Sequence, residues 1–275
     1  MMKKFMALML VAVMALALVA CGNNAANVAV EKDYAASVEG AAVVAEAGSA
    51  GEELATGDAF FQNAAFTPVD SMAKALMEVE AGTADIAIVD YVTSIGSIGE
   101  GTDYADLKVV EGKDFSPEEY GIAFRKGSDL TAAVNAAIAE LAADGTMDKI
   151  GADYKLDKLL IKDGKANEEE VVEGDLAYVK EKGELVIGIT LFAPMNYYNE
   201  NKELIGFETE FAKAVCEKLG VTPKFVEINW DTKEIELNAK SIDCIWNGMT
   251  ITEERLANMS ISVPYMQNKQ VMVAK

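Results

Sequence analysis

The chain has 275 residues, of which 51% are hydrophobic, 45 are acidic, 24 are basic and none is histidine. This length and apolar content allow one or two buried cores and exclude a disordered protein. The formal net charge of −21 argues against nucleic acid and against an anionic membrane surface as partners. Without histidine the commonest general base and metal ligand is missing, and three cysteines do not make a zinc site. We therefore expect no metal and no cofactor.

The N-terminus has the pattern of an export signal. "MMKK" supplies positive charge, the apolar run "FMALMLVAVMALALVA" follows, and "LVAC" ends it before the polar "GNNAAN". This pattern resembles the bacterial lipoprotein signal, in which the cysteine, here Cys21, is lipidated. We expect a signal peptide over residues 1–20 and an extracytoplasmic lipoprotein on the cell membrane, at the cell surface or in the periplasm. The alternatives are a plain signal peptide and a transmembrane helix, for which the run is slightly short.

Strands and helices alternate along the rest of the chain. "VEGAAVVAEAGSAGEELA" predicts a strand, a glycine turn and a helix, and "SMAKALMEVEAGTADIAIVDY" predicts a helix and a buried strand. "KDFSPEEYGIAFRKGSDLTAAVNAAIAEL" predicts a strand, a turn and an amphipathic helix. The charged, weakly periodic residues 155–180 predict a solvated linker. Such alternation with short loops indicates an α/β fold with parallel sheets and helices on both faces.

The pattern resumes after the linker. "ELVIGIT" and "PKFVEI" predict strands on either side of the helix "FETEFAKAVCEKLG", and "SIDCIWNGM" predicts a further buried strand. Cys216 and Cys244 lie in apolar helix and strand patterns. Two buried free thiols are therefore favoured over a disulfide, although the sequence leaves the pairing open.

Polar groups follow the predicted strands, and parallel sheets bind ligands at the carboxyl ends of their strands. After "IDCIW" come the carbonyl of Gly248, the hydroxyl of Thr250 and the guanidinium of Arg255, which can bind a carboxylate through two parallel hydrogen bonds. Arg255 is also a cation in the first turn of a predicted helix, where the macrodipole favours acids. A residue that breaks a local rule in this way indicates a functional site.

Other strand ends complete a site for an amino acid. Ser49 and the backbone N–H of Ala50 follow "AVVAEA" at a helix N-terminus, which suits an anion, and Asp90 follows "ADIAIV" and suits an ammonium group. Phe192 and Trp230 offer aromatic walls for a side chain. Each residue also has a structural explanation. Arg255 could pair with a neighbouring Glu, Asp90 could cap the following helix, the two aromatics could be core residues, and Ser49 could belong only to a tight turn.

The sequence resembles the polar amino acid family of ABC-transporter solute-binding proteins, the family 3 extracellular solute-binding proteins, which have the type II periplasmic-binding fold. The matching motifs are "APMNYYNENKELIGFETEFAKAV", "IDCIWNGMTITEERLANMSISVPY", "VVAEAGSAGEELA", "TADIAIVDY" and "YGIAFRKGSDLTAAVNAAIAELAADGTMDKI". The resemblance implies a two-lobed protein, each lobe a mostly parallel sheet flanked by helices. The lobes close by a hinge over an amino acid, which an ABC permease then receives.

The resemblance also implies a role for each site residue. Arg255 and Thr250 would hold the ligand α-carboxylate from one lobe and the Gly248 carbonyl its α-ammonium. Ser49 and Ala50 would bind the carboxylate from the other lobe. Three further residues would complete the site: Asp90 as ammonium acceptor, and Phe192 and Trp230 around the side chain.

Two positions leave the preferred amino acid open. Glu46 stands where many relatives carry Gln or Lys, and Ile189 stands where some carry an Asp that reads the ligand side chain.

The order of the motifs is reversed relative to the family. The resemblance therefore implies a circularly permuted chain, with lobe 2 (the smaller) over residues 21–115 and lobe 1 over residues 116–275. The usual termini would be fused through residues 155–180. A dimer with exchanged hinge strands and a truncated fusion of two genes are alternatives.

The expected function is therefore that of a lipid-anchored substrate-binding protein of an amino acid ABC transporter, not an enzyme. A ligand sensor for a membrane receptor is the alternative. A dehydratase-like enzyme with Glu46 as its acid is disfavoured by the lack of histidine and by the intact amino acid clamp.

Overall fold

A mixed β-sheet crosses the part of the chain that the structure describes. The computed structural model describes residues 32–167, 170–172 and 174–275, so the predicted signal peptide and Cys21 lie outside the described residues. The strands, in chain order, are β1 (Ala42–Glu46), β2 (Ala65–Val69), β3 (Ile86–Asp90), β4 (Lys108–Val109), β5 (Pro117–Arg125), β6 (Glu184–Ile189), β7 (Tyr197–Tyr198), β8 (Leu204–Ile205), β9 (Thr222–Glu227), β10 (Cys244–Thr250), β11 (Met259–Ile261) and β12 (Met266–Ala274).

Helices alternate with these strands. They are α1 (Ala50–Gly57), α2 (Met72–Ala81), α3 (Tyr91–Ser97), α4 (Leu130–Ala143), α5 (Thr146–Asp153), α6 (Asp175–Lys182), α7 (Phe207–Leu219), α8 (Lys233–Asn238) and α9 (Glu253–Asn258). Short 3-10 turns cover Ala59–Phe61, Asp157–Leu159 and Trp230–Thr232. In the described ranges, none of the helices has the length and apolar composition that crossing a membrane requires.

The strand order across the sheet is β2-β1-β3-β12-β5-β10-β6-β9, with β4 against β12 and β11 against β5. We call β1 to β4 the N-terminal sheet half, and β5, β6, β9, β10 and β11 the C-terminal sheet half. In the first half, β1 is parallel to both β2 and β3; in the second, β6 is parallel to β9 and β10. The α/β prediction is confirmed, and each antiparallel pair of this sheet in the described residues involves β5 or β12.

Strand β12 joins the two sheet halves. Its residues 266–269 pair with β5, and its residues 270–273 pair with β3. Residues 110–116 form the other passage, from β4 to β5. The two passages bring the carboxyl ends of β1, β3 and β10 to the same region, which is where the sequence predicts ligand binding.

Apolar side chains pack on both faces of the sheet. In the C-terminal sheet half, Phe211 packs edge-on against Trp246 with ring centroids 5.6 Å apart, and Phe207 stacks on Tyr265. In the N-terminal sheet half, Val43 and Ile88 are buried with Met272 of β12. Because Met272 belongs to that core, β12 is integral to both sheet halves.

Regular structure occupies part of residues 155–180, which the sequence predicts as a solvated linker. Leu160 forms a bridge with Met266, and α6 begins at Asp175. Arg125 is buried and donates from Nε to Oδ2 of Asp175 over 3.0 Å. Arg125 and Asp175 are 50 residues apart along the chain, so the local charge pattern does not reveal this contact. Residues 168, 169 and 173 of this segment lie outside the described residues.

The prediction of two buried free thiols is confirmed, because Cys216 and Cys244 are both buried and unbridged. Burial raises the pKa of Cys216 to about 12 and raises that of Cys244 as well. Both thiols are therefore neutral and unreactive at neutral pH.

Candidate functional site

A cavity of about 920 Å³ lies between the two sheet halves. Ala50 at the start of α1 lines one wall, and Thr250 at the end of β10 lines the opposite wall. Glu118 of β5 and Gln270 of β12 line it from the two crossing strands. Its volume is in the range of small-molecule binding sites.

Arg255 reaches across the gap between the sheet halves. The side chain is 5% exposed, and its NH1 donates to the carbonyl of Thr250 over 2.9 Å. Its NH2 donates to Oε1 of Glu53 over 2.8 Å and lies 3.4 Å from the carbonyl oxygen of Gly48. Arg255 therefore pairs with a carboxylate of α1, and not with the neighbouring acids of its own helix.

The turn before α1 presents backbone and hydroxyl groups to the same place. Ser49 is the N-cap of α1, and its hydroxyl oxygen accepts from the N–H of Glu52 over 3.2 Å. Glu52 in turn accepts from the N–H of Gly48 over 2.6 Å. These reciprocal contacts fix the first turn of α1 beside Arg255, and the Ser49 proton is still available for donation.

Lys233, at the start of α8, was not predicted from the sequence. Its Nζ donates to the carbonyl of Gly48 over 2.8 Å and to that of Trp230 over 3.2 Å. It also lies 5.0 Å from the centre of the Trp230 ring, within the range of a cation–π contact. Burial, and next the charge of Arg255, lower the pKa of Lys233 to about 8.

Asp90 belongs to a buried hydrogen-bond network. Its Oδ1 accepts from Nδ2 of Asn268 over 3.0 Å and also from Nε2 of Gln270, and its side chain does not cap α3. Oε2 of Glu118 accepts from the same two amides and from the Thr250 hydroxyl, over 2.9 to 3.2 Å. Burial, and next the charge of Glu118, raise the pKa of Asp90 to about 7.

Gly248 occupies a tightly enclosed position in β10. Its φ of +55° lies in the left-handed region, and a Cβ there would be 3.0 Å from Cζ of Phe192. Its N–H donates to Oε1 of Glu208 over 2.8 Å, and the Tyr265 hydroxyl donates to the same oxygen. The buried Glu208 thereby fixes the orientation of the peptide group at Gly248.

Glu46, the last residue of β1, is 2% exposed. Burial, and next the charge of Asp90, raise its pKa to about 8, while Lys233 and the Thr190 hydroxyl act in the opposite direction. Within the part of the chain that the structure describes, Oε1 of Glu46 is buried without a hydrogen-bond partner.

Most of the predicted site residues come together in this region. Arg255 and Ser49 meet at the Gly48 turn, and Thr250 reaches Asp90 through Glu118. Phe192 contacts Gly248, and Trp230 lies under Lys233.

Phe192 and Trp230 are each 4% exposed and belong to apolar clusters, as expected of core aromatic residues. Of the predicted residues, Ala50 and Thr250 line the cavity and the others do not.

Several polar residues of this region were missed by the sequence reasoning. They are Lys233, Glu118, Glu208, Asn268 and Gln270. Lys233 follows Trp230 by three residues, so helical spacing could have suggested it. The alternate positions 268 and 270 on β12 share one face of a strand, which is a detectable but weak signal.

Residues 185–275 match the model of bacterial extracellular solute-binding proteins, family 3. This segment contains β7 to β12 and β6 without its first residue, together with Arg255, Gly248, Phe192 and Trp230.

Relatives match the chain over part of its length. The L-cystine-binding protein TcyJ of Escherichia coli (strain K12) is 35% identical over 105 residues, which are 38% of this chain and 40% of the relative. A probable amino-acid ABC transporter-binding protein of Haemophilus influenzae is 37% identical over 84 residues, 30% of this chain and 33% of the relative. The chain thus spans about two fifths or less of these curated relatives, whose names describe binding proteins.

Among solved structures, the arginine-bound form of domain 1 from TmArgBP is 32% identical, with a TM-score of 0.32. The match covers 36% of this chain and 84% of that chain.

Proposed function

We propose that the protein is an extracytoplasmic amino-acid-binding protein that serves an ABC transporter. The observation behind this proposal is that Arg255, the Ser49 turn and Asp90 converge from opposite sheet halves on one interlobe region. A cationic fork, N–H donors and a carboxylate are the groups that recognise the two charged ends of a free amino acid.

In this proposal the ligand α-carboxylate replaces Glu53 as the partner of Arg255. Glu53 is half exposed, at 55%, whereas Arg255 is buried, so the ion pair can open toward solvent on one side only. Thr250 and the N–H groups of Ser49 and Ala50 add donors. The α-ammonium goes to Asp90 and to the Gly248 carbonyl, and Phe192 and Trp230 flank the side chain.

The two sheet halves are proposed to be two lobes that close over the ligand. The smaller lobe corresponds to residues 21–115 and the larger to residues 116–275, with β12 and residues 110–116 as the hinge. The order of the lobes supports a circular permutation, with residues 155–180 connecting the former termini. A hinge-swapped dimer is the alternative arrangement, and sedimentation velocity distinguishes it from a monomer.

The membrane attachment is proposed from the N-terminal sequence. Cys21 follows the lipoprotein-like signal, and a lipid there would keep the protein near a permease in the cell membrane. Metabolic labelling with a radioactive fatty acid tests this directly, since Cys21→Ala should abolish the incorporation.

A thermal-shift panel of the twenty amino acids, cystine and small polyamines tests the function. A ligand that binds only the folded protein raises its apparent stability by about 2.7 kcal/mol at a concentration of 100 Kd. We expect at least one amino acid to raise Tm, in a manner that depends on its concentration. The proposal would be contradicted if only polyamines raised Tm, or if none of the compounds did.

Replacing Gly96 with alanine should hinder closure without touching the ligand. Gly96 lies in α3 of one half, and an added Cβ would be 2.7 Å from N and Cδ of Pro194 in the other half. We expect amino-acid affinity to fall by about tenfold, because roughly 1 to 3 kcal/mol of steric strain enters the closed state. Titration calorimetry measures this loss, and small-angle scattering should show a larger radius of gyration.

The matched control is Gly57→Ala in α1, where an added Cβ meets no atom within 4 Å. This variant should bind as the parent does. Equal affinity of the Gly96→Ala variant and the parent would mean that the ligand-bound protein does not use the contact with Pro194.

A further inference from the structure

The region between the sheet halves has more acidic than basic groups. Among the described residues, the cations Lys233 and Arg255 lie beside the Gly48 turn, and Lys113 and Lys269 line the cavity. The carboxylates that are buried here or line the cavity are twice as many: Glu46, Glu53, Asp58, Asp90, Asp114, Glu118, Glu119 and Glu208. A zwitterionic amino acid has no net charge and leaves this imbalance unchanged. A ligand with an additional positive charge reduces it, because opposite charges stabilise ionised carboxylates in a buried site.

Glu46 and Glu208 each have one buried carboxylate oxygen without a hydrogen-bond partner among the described residues, Oε1 of Glu46 and Oε2 of Glu208. The other oxygen of Glu208 accepts from the N–H of Gly248 and from the Tyr265 hydroxyl, whereas the Thr190 hydroxyl is the polar side chain that contacts Glu46. An unpartnered buried oxygen is costly, so Glu46 is the less satisfied of the two. Asp90 and Glu118, by contrast, accept from the amides of Asn268 and Gln270. An unsatisfied buried acceptor at a strand end indicates that a donor is supplied from outside the chain.

The surroundings of Glu46 already stabilise one ammonium group. The Nζ of Lys233 lies on the Trp230 ring, donates to the carbonyls of Gly48 and Trp230, and attracts Glu46 electrostatically. Carbonyl oxygens, an aromatic face and a carboxylate together favour cations. Lys233 gives two of its three donors to carbonyls, so at most one donor is left for Glu46.

From this arrangement we propose that the ligand is an amino acid whose side chain ends in a cationic group, an ammonium or a guanidinium, and that Glu46 binds that group. The inference rests on the proposed amino-acid-binding function and specifies its substrate class. Phe192 and Trp230 would pack on the aliphatic stem, and the cationic end would reach Oε1 of Glu46.

The proposal has a consequence for pH dependence. Three groups face Glu46: the carboxylate of Asp90 in β3, the ammonium of Lys233 in α8, and the hydroxyl of Thr190, which follows β6. The raised pKa of about 8 at Glu46 and of about 7 at Asp90 means that both bind protons near neutral pH. A cationic ligand favours the ionised carboxylates, so affinity should rise from pH 6 to pH 8.5 with release of protons. Loss of charge on Lys233, whose pKa is about 8, acts in the same direction.

The test compares arginine with citrulline, which has the same length and a neutral side chain. Isothermal titration calorimetry on the purified protein at pH 7.5 should show that arginine binds at least about tenfold more tightly than citrulline. The pair of lysine and glutamine should show the same preference for the cationic member. Repeating the arginine titration in buffers of different ionisation enthalpy should reveal proton release, and the arginine-to-citrulline ratio should grow with pH.

Glu46→Gln is the diagnostic variant, because it keeps the shape of the side chain and removes its charge. We expect the arginine-to-citrulline affinity ratio to fall by roughly 10-fold to 100-fold, since a hydrogen bond to a charged group contributes about 1.5 to 3 kcal/mol. Glu39→Gln, at an exposed position of the same sheet half, is the matched control and should keep the parent ratio.

The outcomes separate the two proposals. Equal binding of arginine and citrulline by the parent, or preferential binding of glutamate, overturns the cationic ligand and leaves the amino-acid-binding function standing. An unchanged ratio in Glu46→Gln, with a pH-independent ratio in the parent, overturns the role of Glu46. If no amino acid binds at all, the function itself is wrong. The pH series needs only the parent protein, so it remains decisive if the variant fails to fold.

Discussion

Arg255→Lys is expected to weaken amino-acid binding by about 100-fold or more. Lysine keeps the positive charge but cannot form the two parallel hydrogen bonds that a guanidinium offers a carboxylate. Truncating one partner of a buried, hydrogen-bonded charge pair costs about 2 to 5 kcal/mol in binding. Titration calorimetry with the best amino acid from the thermal-shift panel measures the loss.

Arg125→Lys is the matched control for this change. Arg125 is also buried, at 9% exposed, but it donates to the carbonyls of Leu237 and Ile242 and not, as Arg255 does, to Gly48 and Glu53 of the N-terminal sheet half. We expect this control to lower the free energy of unfolding and to keep the parent affinity. If Arg255→Lys binds within a few-fold of the parent, the assignment of the carboxylate site to Arg255 is wrong.

Gly248→Ala is expected to lower the free energy of unfolding by about 2 to 5 kcal/mol. A non-glycine residue in the left-handed region costs roughly 1 to 2 kcal/mol, and overpacking of a filled core adds about 1 to 3 kcal/mol. The overpacking arises because the new methyl would lie 3.0 Å from Phe192 and 3.3 Å from Tyr120. Urea denaturation measures the change, and amino-acid affinity should fall as well because the carbonyl at residue 248 is displaced.

Gly82→Ala separates the two costs. Gly82 has a φ of +75°, in the same region of backbone conformation, but an added Cβ there meets no atom within 4 Å. It should therefore show the backbone cost alone, roughly 1 to 2 kcal/mol, with unchanged ligand binding. Equal destabilisation by the two variants would mean that the enclosure around Gly248 contributes nothing.

The strands and the residues at their ends could be predicted from the sequence. "AVVAE", "DIAIVD" and "ELVIGI" are short apolar runs bounded by turns, and each forms a strand. Because ligands bind beyond the carboxyl ends of parallel strands, the positions of Asp90 and Ser49 directly after such runs were enough to name them as candidates. Arg255 could be named because it opposes the dipole of its own helix.

Residues that act through distant contacts could not be predicted. The amides of Asn268 and Gln270 reach Asp90 and Glu118 only because β12 lies between β3 and β5, a pairing fixed by tertiary structure. Lys233 crosses to the Gly48 carbonyl, 185 residues away along the chain. Local periodicity reports the face on which a residue lies, and it does not report which distant group comes to meet that face.

Helix α6 is a comparable case outside the site. Its sequence "DLAYVKEK" is charged and contains one fully buried residue, Val179. Arg125 fixes its first residue, and Asp129 accepts from the N–H of Leu176 over 2.8 Å. A short polar helix of this kind depends on such tertiary contacts, because eight residues alone are too few for a stable helix in water.

The most direct test is a crystal structure of the protein with the tightest-binding amino acid. We predict that the ligand α-carboxylate forms a paired contact with the Arg255 guanidinium, that Glu53 no longer occupies this position, and that the α-ammonium donates to Asp90. A ligand bound elsewhere, with the ion pair between Arg255 and Glu53 intact, would contradict the proposed site.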